Sequence, residues 1–219
     1  MKICTDACLF GAWVAKDLPQ EELSILDIGS GTGLLMMMLA QQNSGRIDGI
    51  ELDTPAYEQC RENIASHPWS NRLQVYKGDV RSYQFGGNYD CILSNPPFYE
   101  NDLQPGAADN QMARHSSALR LEELVRSISK NLKSDGVAYL LIPWHRSLYV
   151  SEQAAQSGLW VDKFAVVRHS ARHAPFRAMI RFKKVQADVV DYQSIYIRNN
   201  DNAYSTVFSA LLKPYYLNL

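Results

Sequence analysis

The sequence of 219 residues contains no apolar run that approaches the roughly 18 residues needed to span a bilayer. Its most apolar stretch, Leu34 to Ala40, covers only seven residues. The N-terminal stretch also lacks a secretory signal pattern, because Asp6 interrupts its apolar residues and no clear cleavage site follows. These absences predict a cytoplasmic protein with no membrane partner.

Cysteine is scarce, and the four that occur (Cys4, Cys8, Cys60 and Cys91) do not form a disulfide framework in a chain of this length. Cys4 and Cys8 lie four positions apart, but no second pair of cysteines or histidines completes a zinc site. We therefore expect no bound metal, and thiols that are buried or partly buried.

Hydrophobic residues make up 46% of the chain and charged residues 21%, which is typical of a globular protein and excludes a disordered one. The sequence has no internal repeat, linker or low-complexity tract. We expect a single domain over residues 1–219, with an N-terminal segment (1–23), a core sheet (24–183) and a C-terminal extension (184–219).

The two halves of the chain differ in charge although the net charge is only −1. Residues 1–110 contain 7 basic and 15 acidic side chains, whereas residues 111–219 contain 15 basic and 8 acidic ones. The densest basic stretch, Lys163 to Lys184, contains no acid. It indicates a nucleic acid or another polyanion, or alternatively a solvated strand pair with ordinary surface charge. The candidate phosphate contacts are Lys163, Arg168, Arg172, Arg177 and Arg181.

Short apolar runs alternate with helical patterns along the chain. This predicts an α/β fold with a doubly wound, mainly parallel sheet of seven strands and an antiparallel C-terminal hairpin. The predicted strands are 24–28, 46–52, 73–77, 89–94, 137–143, 161–168 and 176–183, and 194–197 is strand-like. The predicted helices run from Gly33 through Gln42 and over 54–67 (with Thr54 as N-cap), 119–132, 145–157 and 204–212. A long loop is predicted over 99–116.

A glycine-rich turn, Asp27 to Gly33, follows the first predicted strand. Gly29, Gly31 and Gly33 allow positive φ angles and a close approach of backbone to a ligand. The spacing is GxGxG, which differs from that of dinucleotide enzymes, and Asp27 stands just ahead of it. The turn therefore fits a cofactor that has no pyrophosphate, and Asp27, Gly29, Gly31 and Gly33 are its candidate contacts.

Two further acids follow the second and third predicted strands. Glu51 stands where a carboxylate accepts hydrogen bonds from both ribose hydroxyls of a nucleoside, and this position favours a ligand contact over the alternative of a surface acid pair. The position of Asp53 favours a role at the next helix terminus. Asp79 can accept from an adenine amino group or can stabilise a turn. Together these strand ends resemble those of the class I S-adenosylmethionine-dependent methyltransferases over roughly residues 1–183, which implies a Rossmann-like sheet and S-adenosylmethionine as the cofactor.

The fourth predicted strand ends in Asn95-Pro96-Pro97-Phe98, which we take as the catalytic motif. A planar exocyclic nitrogen is a poor nucleophile because its lone pair is delocalised. If the side-chain oxygen of Asn95 and the carbonyl of Pro96 each accept one N–H, the lone pair can point at an activated methyl group. The prolines would rigidify the turn, and Phe98 would stack on the target base. The alternative is a strand-ending loop with a capping asparagine.

Several segments together resemble the bacterial tRNA1(Val) adenine-37 N6-methyltransferases. They are residues 1–13, 25–33, 63–64, 68–69, 95–98, 113–115, 211–213 and 216–217. The resemblance implies tRNA as partner, no obligate protein partner, and N6-methyladenosine as product. It implies that Thr5 and Asp6, in the N-terminal segment, help to close the site over the methionine end of the cofactor. Arg114 and His115, in the loop after the catalytic motif, hold the RNA or close the site, or alternatively are an ordinary surface loop pair. Cys4 and Ala7 stand where this family has glycines.

Other amino groups stay open as substrates. A glutamine N5-methyltransferase of release factors uses a related motif, but with a helical domain ahead of the glycine-rich turn. A guanine-N2 methyltransferase of rRNA shares the type of motif, and a DNA adenine methyltransferase would need a separate recognition domain. The alternative to an enzyme is an RNA-binding protein that keeps the cofactor fold only as a scaffold.

Overall fold

The computed structural model describes residues 4–97 and 119–218. Within these ranges the chain forms one sheet of eight strands in the order β3-β2-β1-β4-β5-β7-β6-β8. The strands are β1 (Ile25–Ile28), β2 (Ile47–Glu51), β3 (Leu73–Lys77), β4 (Tyr89–Ser94), β5 (Leu132–Pro143), β6 (Trp160–Arg168), β7 (Pro175–Lys183) and β8 (Asp191–Tyr196).

Helices cover both faces of this sheet. They are α1 (Thr5–Asp17), α2 (Leu34–Gln42), α3 (Thr54–Ala65), α4 (Leu121–Asn131), α5 (Ser147–Gln156) and α6 (Thr206–Leu212). Buried side chains of α1, α2, α3 and α6 form one core with the sheet, and those of α4 and α5 form a second core on the other face. None of the helices in the described ranges is long and apolar enough to cross a membrane.

The predicted doubly wound, mainly parallel architecture is confirmed, with one strand more than expected. Strands β3, β2, β1, β4 and β5 are parallel neighbours, and β7 pairs antiparallel with both β5 and β6. The additional strand, β8, runs parallel to β6 at the edge of the sheet. It replaces the shorter strand-like segment predicted at 194–197.

Helix α1 was not predicted from the sequence. Every residue from Ala7 to Ala15 is buried, so the helix has no polar stripe and no amphipathic period to reveal it. The start of α3 was also misassigned. Asp53, not Thr54, is its N-cap, because the Asp53 carboxylate accepts a hydrogen bond of 3.0 Å from the backbone N–H of Ala56.

A charged cluster joins the end of α1 to the sheet. Tyr139, Arg181 and Lys163 are neighbours in one row across β5, β7 and β6. Asp17 at the end of α1 accepts hydrogen bonds from all three, at 2.6 Å from Tyr139, 2.6 Å from Arg181 and 2.7 Å from Lys163. Asp162, which is buried, forms a second ion pair with Arg181 at 2.7 Å. These residues (Asp17, Tyr139, Asp162, Lys163 and Arg181) are called the α1 clamp below.

Ionisation within the clamp follows from its contacts. Burial opposes a charge on Asp17, but the hydrogen bonds from Lys163 and Tyr139 outweigh it and lower the pKa of the carboxyl below its ordinary value. Burial raises the pKa of Tyr139, and negative charge on Cys91 and on Asp17 adds to this effect. Asp17 therefore stays ionised and paired at neutral pH.

Arg181→Met is expected to lower the free energy of unfolding by about 3 kcal/mol, because it leaves Asp17 and Asp162 with a missing partner in a largely buried place. Urea denaturation at pH 7 measures this change. The matched control is Arg172→Met in an exposed turn, which should change stability by less than about 0.5 kcal/mol. Equal stabilities for the two variants would contradict a structural role for the clamp.

Candidate functional site

The parallel register brings the predicted site residues to one edge of the sheet. Ile28 at the end of β1 is paired with Ile50 of β2 and with Ser94 of β4. The residues that follow these positions, Gly29, Glu51 and Asn95, therefore emerge side by side at the carboxyl edge. Adjacent strands lie about 4.8 Å apart, so one small molecule can reach all three strand ends.

The glycine-rich turn uses positive φ angles, as the sequence predicts. Gly29, Gly31 and Gly33 have φ values of 72°, 55° and 86°. A Cβ at Gly29 would meet nothing within 4 Å, so open space lies beside the backbone there. A Cβ at Gly33 would approach the Sγ of Cys60 to 2.8 Å, so this glycine is also needed for packing against α3. The turn thus leaves room for a ligand and is supported from behind.

Asp27 lies directly beneath this turn and is fully buried. Neither of its carboxyl oxygens has a hydrogen-bond partner among the described residues. Burial and, secondarily, the nearby charge of Glu51 raise the pKa of Asp27 to about 8. A buried carboxyl group without a partner is costly for a folded protein. It fits a site that is completed by a ligand carrying positive charge or hydrogen-bond donors.

Glu51 is held in place by two backbone donors. Its carboxylate accepts hydrogen bonds of 2.8 Å from the N–H of Gly31 and 2.7 Å from the N–H of Asp53. Each carboxylate oxygen has two lone pairs, so both can still accept a hydroxyl. The glycine-rich turn and this carboxylate therefore form one preorganised unit.

Asp79 follows β3 at the same edge, but Arg81 occupies its carboxylate. The two side chains are joined by an ion pair of 2.5 Å, and the backbone N–H of Arg81 donates to the same acid at 2.9 Å. These bonds lower the pKa of Asp79 below its ordinary value. Of the two roles that the sequence leaves open for Asp79, this geometry is that of a turn-stabilising acid. An adenine amino group would have to share the carboxylate with Arg81.

The catalytic motif starts beside the glycine-rich turn. The hydroxyl of Ser94 donates a hydrogen bond of 2.7 Å to the carbonyl of Ile28, which ties the end of β4 to the end of β1. Asn95 is half-buried, Pro96 is buried and Pro97 is exposed. Phe98 lies outside the described residues, as do the predicted loop over 99–116, Arg114 and His115.

An ion pair brings the start of α1 to the same edge. Asp6 accepts a hydrogen bond of 2.8 Å from the Nε of Arg177, and Arg177 is paired with Pro143, the last residue of β5. Thr5, the first residue of α1, is exposed. Both residues of the predicted closing segment thus lie at the carboxyl edge, although Asp6 is engaged by an arginine.

Comparison with known proteins agrees with this geometry. The family model described as methyltransferase small domain matches residues 11–146. The chain is also 37% identical to the tRNA1(Val) (adenine(37)-N6)-methyltransferase of Cytophaga hutchinsonii, over 100% of this chain and 92% of that one. The chain belongs to this methyltransferase family.

Solved structures share the fold at low sequence identity. A predicted O-methyltransferase from Agrobacterium tumefaciens superposes with a TM-score of 0.72 at 15% identity, covering 95% of this chain and 96% of that one. The glycopeptide N-methyltransferase MtfA, solved with S-adenosyl-L-methionine, gives a TM-score of 0.61 at 10% identity over 80% and 93% of the two chains. These likenesses establish the Rossmann-like methyltransferase fold.

The five basic residues predicted to contact RNA fall into two groups in this methyltransferase. Arg168 at the end of β6, Arg172 in the following turn and Arg177 near the start of β7 lie at the carboxyl edge, on the side of the site. Lys163 and Arg181 lie about four residues further down the strands, where the α1 clamp pairs their charges with Asp17 and Asp162. We therefore leave Lys163 and Arg181 out of the candidate RNA surface.

Three features of the site were missed in the sequence. The side-chain amide of Asn63 on α3 donates to the carbonyl of Thr32 at 2.9 Å and so supports the glycine-rich turn. Arg198 lies over the ring of Tyr204, 4.4 Å from its centroid, next to the β6–β7 turn. His169, in that turn, is stacked on Phe176 of β7. Residues 63–64 counted only toward the family resemblance, with no role assigned to Asn63. Arg198 and Tyr204 lie in no motif, and His169 belongs to the acid-free stretch.

Asp27→Asn is expected to change how stability depends on pH. The carboxyl has a pKa of about 8 when folded and an ordinary value of 3.8 when unfolded, so folding takes up a proton between these values. The free energy of unfolding therefore falls as the pH rises from about 4 to about 8, and this loss persists above that range. Asparagine does not titrate and so removes this loss. The free energy of unfolding of the variant, relative to that of the wild type, should therefore increase as the pH rises from about 4 to about 8.

Urea denaturation of the ligand-free proteins at pH 5, 6.5 and 8.5 measures this difference. Comparing variant with wild type cancels the contributions of the other acids. Parallel pH profiles for the two proteins would show that Asp27 is already ionised in the folded state.

Proposed function

We propose that this protein transfers a methyl group from S-adenosylmethionine to the exocyclic N6 of an adenine in tRNA, at position 37 of tRNA1(Val). One observation carries the proposal: Asn95-Pro96-Pro97 begins at the end of β4, directly beside the glycine-rich turn at the end of β1. The activity for which the Cytophaga hutchinsonii relative is named supports adenine as the base and tRNA as the substrate.

The residues of the carboxyl edge fit S-adenosylmethionine. This cofactor is a nucleoside with a positively charged sulfonium and an amino group, and it has no pyrophosphate. The unpartnered carboxyl of Asp27 would balance its positive charge, and the carboxylate of Glu51 would accept the two ribose hydroxyls. Backbone of the turn at Gly29, Gly31 and Gly33 would line the cofactor. Asp79 would accept its adenine amino group only by sharing its carboxylate with Arg81. When bound, the cofactor supplies the activated methyl group.

Asn95 and Pro96 would act on the target amine. The side-chain oxygen of Asn95 and the carbonyl oxygen of Pro96 each accept one N–H of the adenine amino group, which turns its lone pair toward the methyl. Pro96 and Pro97 fix the backbone of the turn, so that little reorganisation is needed at the moment of transfer. Phe98 would stack on the base. No metal or strong general base is required by this mechanism, since positioning contributes most of the rate and the methylated nitrogen releases one proton to water after transfer.

The remaining site predictions fit the same proposal. Thr5 and Asp6 would close the site from the N-terminal segment, and Arg168 and Arg172 would contact phosphates of the tRNA. Arg177 would contact a phosphate only with the donors that its ion pair with Asp6 leaves over. Arg114 and His115 would hold the RNA from the segment after the catalytic motif. A single-domain organisation, a cytoplasmic location and independence from a protein partner stay predictions.

Methyl transfer from labelled cofactor to tRNA tests the function directly. The substrate is bulk tRNA from a strain that lacks this modification, and the product is digested to nucleosides for analysis. We expect the label in N6-methyladenosine, and we expect the methylated adenine to map to position 37 of the tRNA. No label in tRNA, with label in 2-methylguanosine of rRNA or in glutamine of a release factor when these are supplied instead, would keep the Asn95 mechanism and overturn the substrate. A protein that binds RNA without transferring any methyl group would be a binding module.

Two substitutions are expected to separate transfer from cofactor binding. Asn95→Ala should lower kcat roughly 100- to 1000-fold, because it removes an acceptor that orients the amine, while the Kd for cofactor changes little. Glu51→Ala should instead weaken cofactor binding roughly 10- to 100-fold through two lost hydrogen bonds. Calorimetry and single-turnover kinetics measure both effects. Wild-type turnover in Asn95→Ala would rule out the proposed role of that residue.

A further inference from the structure

We propose that His169, stacked on Phe176 in the β6–β7 turn, is a platform on which an unpaired base of the substrate RNA stacks, beside the target adenine and not in its place. This inference rests on the proposed function. The inference adds to that function a site that recognises a flanking nucleotide through aromatic contact.

The two rings form a rigid surface. Their centroids lie 4.1 Å apart and their planes differ by only 3°. Phe176 is half-buried and packs against the core that includes α1, whereas His169 is exposed. The imidazole is thus fixed from below by an anchored ring and is open to the solvent. A preordered flat ring loses little conformational freedom when a base stacks on it.

The turn that carries the platform is also ordered by its own hydrogen bonds. Ser170 is buried, and its hydroxyl lies 2.8 Å from the Nδ1 of His173. The backbone N–H of His173 donates to the carbonyl of Ser170 at 3.1 Å. On the other side, the N–H of Arg198 donates to the carbonyl of His169 at 2.9 Å. His169 is therefore held between the turn and the segment that follows β8.

Positive charge surrounds this platform. Arg168 and Arg172 flank it in the turn, and residues 168–177 contain no acid. Arg198 lies next to it, above the ring of Tyr204. Aromatic or histidine rings among arginines are the combination that binds single-stranded RNA, because the arginines meet phosphates while the rings stack on splayed bases. Surface histidines serving only to end a strand would not need the underlying phenylalanine or the bonded turn.

The sheet sets the distance between the platform and the catalytic motif. From β4 to β6 the order is β4-β5-β7-β6, which is three strand spacings or roughly 14 Å. This separation is too large for one base to touch both Asn95 and His169. It suits a neighbouring nucleotide of an RNA loop whose target adenine is turned into the site.

The test measures the Kd of the full chain for a tRNA1(Val) anticodon stem-loop RNA, over a range of salt concentrations. His169→Ala should weaken binding roughly 5- to 100-fold, the size of effect known for a lost base stack. The dependence of log Kd on log salt should keep its wild-type slope, since no phosphate contact is lost. His169→Phe should restore binding, because it keeps a flat ring without the imidazole nitrogens.

Two control variants show what loss of a phosphate contact, and a change far from the RNA surface, do to binding. Arg172→Ala should reduce the salt slope by about 1, as expected for a phosphate contact in the same turn. Lys130→Ala, at the last turn of α4 and on the opposite edge of the sheet, should leave the Kd unchanged. Stem-loops with an abasic site at each nucleotide flanking the target locate the stacked base. At that position the wild type and His169→Ala should bind equally.

The outcomes distinguish this inference from the function itself. If the wild type neither binds nor methylates the stem-loop, the proposed function fails. If the wild type methylates it and His169→Ala binds with unchanged Kd, only the platform is overturned. A weakened His169→Ala that Phe does not rescue, with a reduced salt slope, would overturn stacking in favour of a charged imidazole on a phosphate. Equal unfolding midpoints for the three proteins exclude a folding defect.

Discussion

Parallel pairing of β1, β2, β3, β4 and β5 is the constraint on which the rest of this structure depends. Parallel strands all end at the same edge, so residues distant in the sequence, such as Gly29, Glu51 and Asn95, meet there. The bond from Ser94 to Ile28 fixes the two central strand ends against each other. Because β7 is antiparallel to both β5 and β6, the turn between β6 and β7 lies at that same edge. The edge therefore includes a surface beside the cofactor site that can hold a larger substrate.

Charge pairing decides which basic side chains face that surface. Lys163 and Arg181 belong to the same acid-free stretch as Arg168 and Arg172, yet they are taken up by Asp17 and Asp162. An arginine whose donors are filled by buried carboxylates has little to offer a phosphate, and exposing those acids would be costly. The partners come from α1 and from just before the stretch, so the net charge of the segment says little about how much of it is available.

The cofactor side of the edge combines order with an unmet electrostatic demand. Asn63, Gly31 and Glu51 hold the turn through hydrogen bonds, whereas Asp27 is buried beneath it without a partner. The folded chain bears the cost of that carboxyl, which shows in its raised pKa. Local destabilisation of this kind is common at functional sites, because a group that is satisfied only by the ligand contributes to binding.

The sequence by itself determined the succession of most strands and helices along the chain, the glycine-rich turn and the motif after β4. These features depend on local periodicity and on residues such as glycine and proline, which act through their own backbone. It could not reveal α1, whose uniformly apolar residues from Ala7 to Ala15 carry no helical period, and it indicated only the end of the eighth strand, whose full length depends on its pairing with β6. Only the tertiary structure decided that Arg181 stabilises the fold while Arg172 stays exposed, and that His169 lies on Phe176. Those outcomes depend on which side chains the packing brings together, and spacing along one chain does not contain that information.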